Sequence, residues 1–401
     1  MKYEYTHFIP ENVAPKGATR IVVKKKISES EEAEICDIPS ARFVGLSRPS
    51  GDPLYSFGLV SDCHTYKTET ISDASWSGNK KLRNALSYFE TFGCIMVIGC
   101  GDYTQTGFYK KNESDSSITI SNNVIPVRDP VVIQPYGYYY DETQMLNHSE
   151  IIKAADIPVH EIFGNHENYG VAITAETTIG GVVYKSLARA KELTGIPATA
   201  YTVSSAPDSD EIDDKTVRPN RHADVGDDLY ILCGQSTSGE VMSADDFTWL
   251  GNILEANKTR RCFVVVHSYM EEDSGDPLDY RENSIFGTWS KTADFINLLK
   301  QYPNVIMFHG HSHMKFENQA VDPLANYSTV KGYKSVHVPS LGMPRDINQD
   351  ATDGKYTPED FASSQCYRVD RYKDCIVLNG LELGTTGVPS VEVLGTLKIN
   401  T

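Results

Sequence analysis

Val305-Ile306-Met307-Phe308-His309-Gly310-His311-Ser312-His313 is the stretch on which the fold turns. Its apolar run, Val305–Phe308, is short and bounded by polar and Gly residues, the pattern of a fully buried strand. It opens at Gly310 into two histidines, His311 and His313, which share one face of an extended chain.

The same grammar recurs outward from this point. Short apolar runs at Leu54–Val60, Cys94–Ile98, Ile157–Phe163, Leu229–Cys233 and Cys262–Val266 are bounded by polar or Gly residues. Between them, Leu82/Ala85/Leu86/Phe89 and Phe295/Leu298/Leu299/Tyr302 follow the i, i+3, i+4, i+7 spacing of packed amphipathic helices. Phe247, Leu250 and Leu254 mark a third helix, with Ser243 as its N-cap. Continuous apolar strands alternating with helices require sheets covered on both faces, an α/β architecture.

Five of these runs end on chemistry. Leu54–Val60 leads to Asp62-Cys63-His64, and Cys94–Ile98 to Gly101-Asp102. Ile157–Phe163 leads to Gly164-Asn165-His166-Glu167, Cys262–Val266 to His267, and Val305–Phe308 to the two histidines above. Open α/β sheets place ligands at the carboxyl ends of their strands. Chance is a poor explanation. At this composition Gly-His-x-His is expected about 0.02 times and Gly-Asn-His-Asp/Glu about 0.005 times, whereas Asp-x-His alone is expected about 0.8 times and means nothing.

Carboxylate, amide oxygen and imidazole together suit divalent Mn, Zn, Fe or Mg. Asp62, His64, Asp102, Asn165, His267, His311 and His313 exceed what one tetrahedral ion needs. They fit two ions that share a bridging carboxylate, a pair that polarises phosphoryl groups.

The series Asp62-x-His64, Gly101-Asp102, Gly164-Asn165-His166-Glu167, His267 and Gly310-His311-x-His313 resembles that of the calcineurin-like metallophosphoesterases, over roughly residues 54 to 340. The resemblance implies two mixed β-sheets packed as a sandwich flanked by helices, with a dinuclear centre at the strand ends. It assigns Asp62, His64 and His313 to a first metal, Asn165, His267 and His311 to a second, and Asp102 to the bridge. It implies in-line attack of a metal-bound hydroxide on a phosphomonoester or phosphodiester, with His166 as general acid and no covalent phospho-enzyme. In many relatives a carboxylate or Asn follows the bridging Asp by three residues; here Gln105 stands there, which bears on geometry and substrate preference. Phe8-Ile9-Pro10 and Ala14-Pro15-Lys16-Gly17-Ala18 are also similar to the openings of some phosphoesterase-like proteins encoded by phages and their bacterial hosts.

Around the site, Tyr103 and Tyr269 are placed to line a pocket, and Arg345 is placed to reach a substrate phosphate or to pair with Asp346. Tyr136–Tyr140 stack a leaving group or simply pack. His309 and His337 lie in apolar strands and read as core or supporting residues. His7, His148, His160 and His222 read as surface or structural.

Residues 1–52 form a β-rich leader, with strands at Arg20–Val23 and Glu34–Ile38. Residues 53–365 form the core, with loop insertions near 108–141 and 206–228, and residues 366–401 a C-terminal β segment packed on it. The net charge of −17 argues against a grip on extended nucleic acid but not against a small phosphate ester. No apolar run approaches a membrane span, no signal peptide is expected, and eight scattered cysteines without a Cys-x-x-Cys pair suggest a reducing compartment, hence the cytoplasm or a virion if phage-encoded. Two other classes stay open: a virion- or surface-associated binding protein that keeps the fold as a scaffold, and a binuclear hydrolase of non-phosphate esters.

Overall fold

The computed structural model describes residues 51–65, 78–103, 148–166, 221–235, 241–268, 289–317, 327–328, 332–346, 360–384 and 391–401, with single gaps at 149, 153 and 243. It also describes the backbone of strands between 20 and 39 and between 117 and 140.

Two mixed sheets stack face to face, the sandwich that the resemblance implies. The first runs β1(Arg20–Lys26), β2(Glu32–Pro39), β18(Val391–Asn400), β17(Cys375–Leu383), β16(Gln365–Arg371), β3(Tyr55–Val60), β4(Val97–Gly99) and β9(Val159–Glu161). The second runs β10(Arg221–Val225), β11(Asp228–Leu232), β12(Cys262–Val265), β13(Val305–His309), β15(Lys334–His337) and β14(Tyr327–Ser328). Two hairpins lie within the insertion near 108–141: β5(Ser117–Ile120) with β6(Asn123–Pro126), and β7(Val131–Ile133) with β8(Tyr138–Tyr140). The insertion near 206–228 ends in β10 and the turn to β11, and the acidic run Asp208–Asp214 lies outside the described residues.

Strands β3, β4 and β9 are mutually parallel, and so are β11, β12, β13 and β15. Their crossovers are the expected helices, α1(Gly78–Thr91), α2(Ala244–Ala256) and α3(Thr292–Lys300). The C-terminal strands stand inside the first sheet, with β16 antiparallel to β3 and the leader strands β1 and β2 beyond β18 at the edge.

Burial on both faces explains the continuous apolar runs. In β12, Phe263 and Val265 face the other sheet, while Cys262 and Val264, with Val266 just beyond the strand, face α2 and α3. In β13, Ile306 and Phe308 alternate in the same way with Val305 and Met307. Between the sheets, the rings of Phe263 and Phe308 stack at 5.5 Å, Tyr230 stacks on Phe263 at 4.7 Å, and Phe57 meets Tyr230 edge-on. On the outer face of the first sheet, Leu82, Ala85, Leu86 and Phe89 bury the predicted stripe of α1. Leu250, Leu254, Phe295 and Leu299 do the same for α2 and α3.

The strands do not coincide with the apolar runs. Leu54 is 64% exposed and β3 starts at Tyr55, while Ile157, Ile162 and Phe163 flank β9 as buried loop residues. Hydrophobicity marked what is buried, and only part of that is strand.

At the end of the sandwich where β11 begins, Asp228 ties the two sheets together. Arg371 Nε and Nη2 donate to its two oxygens at 2.5 and 2.9 Å, and Tyr55 Oη donates to Oδ2 at 2.6 Å. Arg371 and Tyr55 belong to the first sheet and Asp228 to the second, so this buried network fixes how the sheets register.

Candidate metal centre

The opposite end of the sandwich gathers the carboxyl ends of β3, β4, β9, β12 and β13. After β3, Asp62 N–H donates to Gly101 O and His64 N–H to Asp102 O, each at 3.0 Å, which lashes the first two ligand loops together. The Asp62 carboxylate accepts from Ser61 Oγ at 2.6 Å and from His311 N–H at 3.0 Å. Asp102 Oδ1 accepts from His166 N–H at 2.8 Å.

The glycines of the motifs are steric necessities. A Cβ on Gly310 would collide with Ser61 Oγ and Asp62 Oδ2, and one on Gly164 would collide with Asp102 Oδ1. Among the described residues, the non-glycines with positive φ are Asp62 (50°), His64 (47°), Asp102 (51°), His311 (73°) and His313 (60°). Asp and His tolerate this region better than most residues, yet each such position costs of order 1–3 kcal/mol. All five belong to the ligand series read from the sequence.

Three sets of side chains each bring ligand atoms within 4.8 Å of one another: Asp62 with His64 and His313, His64 with Asp102 and His166, and Asp102 with His267 and His311. In the first, His313 Nε2 lies 3.2 Å from Asp62 Oδ1 and 3.2 Å from His64 Nε2. In the last, His267 Nε2 lies 2.8 Å from Asn165 Oδ1, 3.1 Å from Asp102 Oδ2 and 3.2 Å from His311 Nδ1. The His166 ring packs edge-on against His64 at 4.6 Å, with Nε2 3.8 Å from Asp102 Oδ2. Asp62, His64, Asp102, Asn165, His267 and His313 are buried; His166 and His311 are half-buried and reach solvent.

The charges answer this crowding. Burial alone would raise the Asp62 carboxyl, but His313 charge and hydrogen bonding hold it well below the usual carboxylate range. Asp102 is likewise held low against burial, mainly by His267 and His166. Burial and the neighbouring His166 push His64 well down, and burial with His267 pushes His311 down to about 3. Burial also pulls on His267, yet the Asp102 charge and hydrogen bond prevail and push it up to about 9.

The hydrogen bonds behind the imidazoles explain why. His267 Nδ1 donates to Cys100 O at 2.8 Å, which leaves Nε2 as a lone pair in the neutral ring. That lone pair faces Asn165 Oδ1, Asp102 Oδ2 and the His311 ring nitrogen, none of which must bring a proton. His313 repeats the arrangement, with Nδ1 donating to Met343 O at 3.1 Å and Nε2 facing Asp62 and His64. Convergent lone pairs need a cation between them, and His267 holds a proton when nothing else is there. Oriented imidazoles with backbone carbonyls behind them are the usual second layer of a metal site. The mixed nitrogen and oxygen donor set fits divalent ions.

Asp62, His64, Asp102, Asn165, His166, His267, His311 and His313 thus come together. Tyr103 does not line a pocket as expected: it is 4% exposed, and its ring stacks on His148 at 4.6 Å. The cause lies on a neighbouring loop: Tyr103 O accepts from both Thr65 N–H and Thr65 Oγ1, drawing the residue into the core. Arg345 is half-buried, and its Nε donates to Ser312 O at 2.9 Å, between the two histidines of the β13 loop. Tyr269, Gln105 and Ser243 lie outside the described residues, as do the side chains of Tyr136–Tyr140. His309 and His337 are buried, with rings 5.5 Å apart across β13 and β15. Sequence reasoning missed Cys100 O and Met343 O, because a backbone acceptor leaves no side-chain signal. No helix among the described residues is long and apolar enough to cross a membrane.

No curated protein matches the sequence. Among solved structures, a dimetal phosphatase from Danio rerio is similar at 14% identity and a TM-score of 0.46, over 87% of this chain and 99% of that one. The family model described as calcineurin-like phosphoesterase matches residues 55–315, well over half the chain and the stretch that holds Asp62 through His313. This chain belongs to the calcineurin-like phosphoesterase family.

Proposed function

We propose that the protein hydrolyses a small phosphomonoester or phosphodiester at a two-metal site. The observation that carries this reading is the set of lone pairs converging on His267 Nε2 and His313 Nε2. Asp62, His64 and His313 would hold one divalent ion, Asn165, His267 and His311 the other, and Asp102, whose carboxylate adjoins both sets, would serve both. When bound, the ions supply positive charge for the phosphoryl oxygens and a strong nucleophile at neutral pH. The imidazole-rich donors favour Mn, Zn or Fe over Mg.

The chain's own residues do the rest. Cys100 O and Met343 O fix the tautomers of His267 and His313, so the ligand nitrogens need no rearrangement. Water attacks phosphorus in line and gives up one proton to solvent, and the bond to the leaving oxygen breaks as that oxygen takes a proton from His166, which solvent then reprotonates. The half-buried His166 ring, whose backbone N–H donates to Asp102 Oδ1, supports this role. With only Asp62 and Asp102 as carboxylates, two divalent ions leave the pocket cationic inside a chain of net charge −17, which suits a phosphate ester.

The test is hydrolysis of an aryl phosphate and an aryl phosphodiester by protein stripped with chelator and reloaded with Mn, Zn, Fe or Mg. Activity should follow loading. His166→Gln should lose about 10²–10⁴-fold in kcat with unchanged metal content. Protein that binds two ions yet hydrolyses neither ester with any of them would sink the proposal.

A further inference from the structure

A buried polar cluster outside the ligand series lies directly behind it. His148, fully buried, precedes β9 and presents Nε2 to Glu161 Oε2 at 2.7 Å. Its ring stacks on Tyr103 at 4.6 Å and 23°, and its Nδ1 lies 3.5 Å from Thr65 Oγ1. These partners are informative by position. Thr65 follows His64, Tyr103 follows Asp102, and Glu161 ends the strand that leads to Asn165 and His166. Thr65 Oγ1 also donates to Tyr103 O at 2.6 Å, so the first two loops are joined before His148 closes on both. Room for Glu161 is built in. Gly99 pairs with it across β4 and β9, and a Cβ there would meet Glu161 Cγ at 2.8 Å.

We infer that His148 is a positioning residue that holds three ligand-bearing loops in register from beneath, with Glu161 as its anchor. The inference rests on the metal-site reading above. A buried carboxylate set against the wall of a site needs a hydrogen-bonding partner, and His148 supplies one while spanning the gap between loops. Ligands on separate loops must meet within a fraction of an ångström, so a brace common to three loops acts on metal affinity although it touches no metal. Such outer partners usually govern affinity by 10–100-fold.

The experiment is calorimetric titration of chelated full-length protein with Mn²⁺ alone, alongside its melting temperature without metal. His148→Ala should weaken Mn²⁺ binding about tenfold or more. His148→Gln, whose amide N–H can still reach Glu161, should restore it to within about threefold of wild type. A merely structural role would lower the metal-free melting temperature in His148→Ala and leave affinity alone. Should His148→Ala fail to fold, Glu161→Gln keeps the shape, weakens the bond and should show the same loss in smaller degree. Wild-type affinity in every folded variant overturns the inference by itself. Wild-type protein that binds no Mn²⁺ overturns the metal-site reading, and this inference falls with it.

Discussion

The proton on His267 makes metal binding pH-dependent in a way that can be calculated. In the metal-free site Asp102 raises this imidazole to about 9, so at neutral pH it is almost fully protonated. An ion at this position must displace that proton. His64 and His311 are pushed down and Asp62 and Asp102 are held low, so these groups have already lost theirs. Apparent affinity for an ion held by His267 should then tighten by up to about tenfold from pH 7 to pH 8, on the order of 1 kcal/mol, and level off above pH 9. Calorimetry with Mn²⁺ at pH 7, in buffers of different ionisation enthalpy, should register about one proton released per ion at this site. Without metal the sign reverses. A raised folded-state value means that the proton stabilises the fold fully below pH 6.5, and this contribution, roughly 3 kcal/mol, is lost as pH rises through about 9. Zero proton release at pH 7, or equal affinity at pH 7 and 8, would refute the account of His267 as a lone pair facing acceptors.

Two further substitutions separate the ends of the sandwich. Asp228→Asn leaves Arg371 buried opposite an amide and should cost about 3–5 kcal/mol in urea unfolding, with Mn²⁺ affinity of the folded protein unchanged because Asp228 lies away from the ligand loops. A loss under 1 kcal/mol would mean that the network does not hold the sheets. Gly310→Ala drives a methyl into Ser61 Oγ and Asp62 Oδ2 and should cost about 1–3 kcal/mol of stability. It should also displace Asp62 and so reduce bound metal, measured by elemental analysis; full metal content would refute the steric role of that glycine.

How much of this was legible in the sequence depends on how local each cause is. The runs ending in Asp62, Asp102, Asn165 and His311 were readable because burial on both faces leaves an unbroken apolar signature, as in Phe263 and Val264. His267 carried no motif and was legible only through its companions. The place of β16 beside β3 was not legible, since antiparallel pairing between residues some three hundred apart leaves no local trace. Tyr103 was misplaced for a related reason: the bond that turns it inward comes from Thr65, on another loop. His148 gave no signal at all, because its partners are spread over three segments that meet only in the folded chain.

The left-handed residues connect these levels. In ordinary extended backbone, residues two apart share a face. Positive φ at Asp62 and His64, and again at His311 and His313, departs from that geometry just beyond the strand end. Asp62 and His64 join one set with His313, while His311 falls with Asp102 and His267, and the N–H groups of Asp62 and His64 stay bonded to Gly101 O and Asp102 O. The strain is balanced by a core on both faces of each sheet, which places the strand ends rigidly. It follows that the ligand series is an outcome of strand geometry as much as of residue type. Asp and His suit these positions because both side chains can ligate a metal and because they are among the non-glycines that best tolerate this backbone.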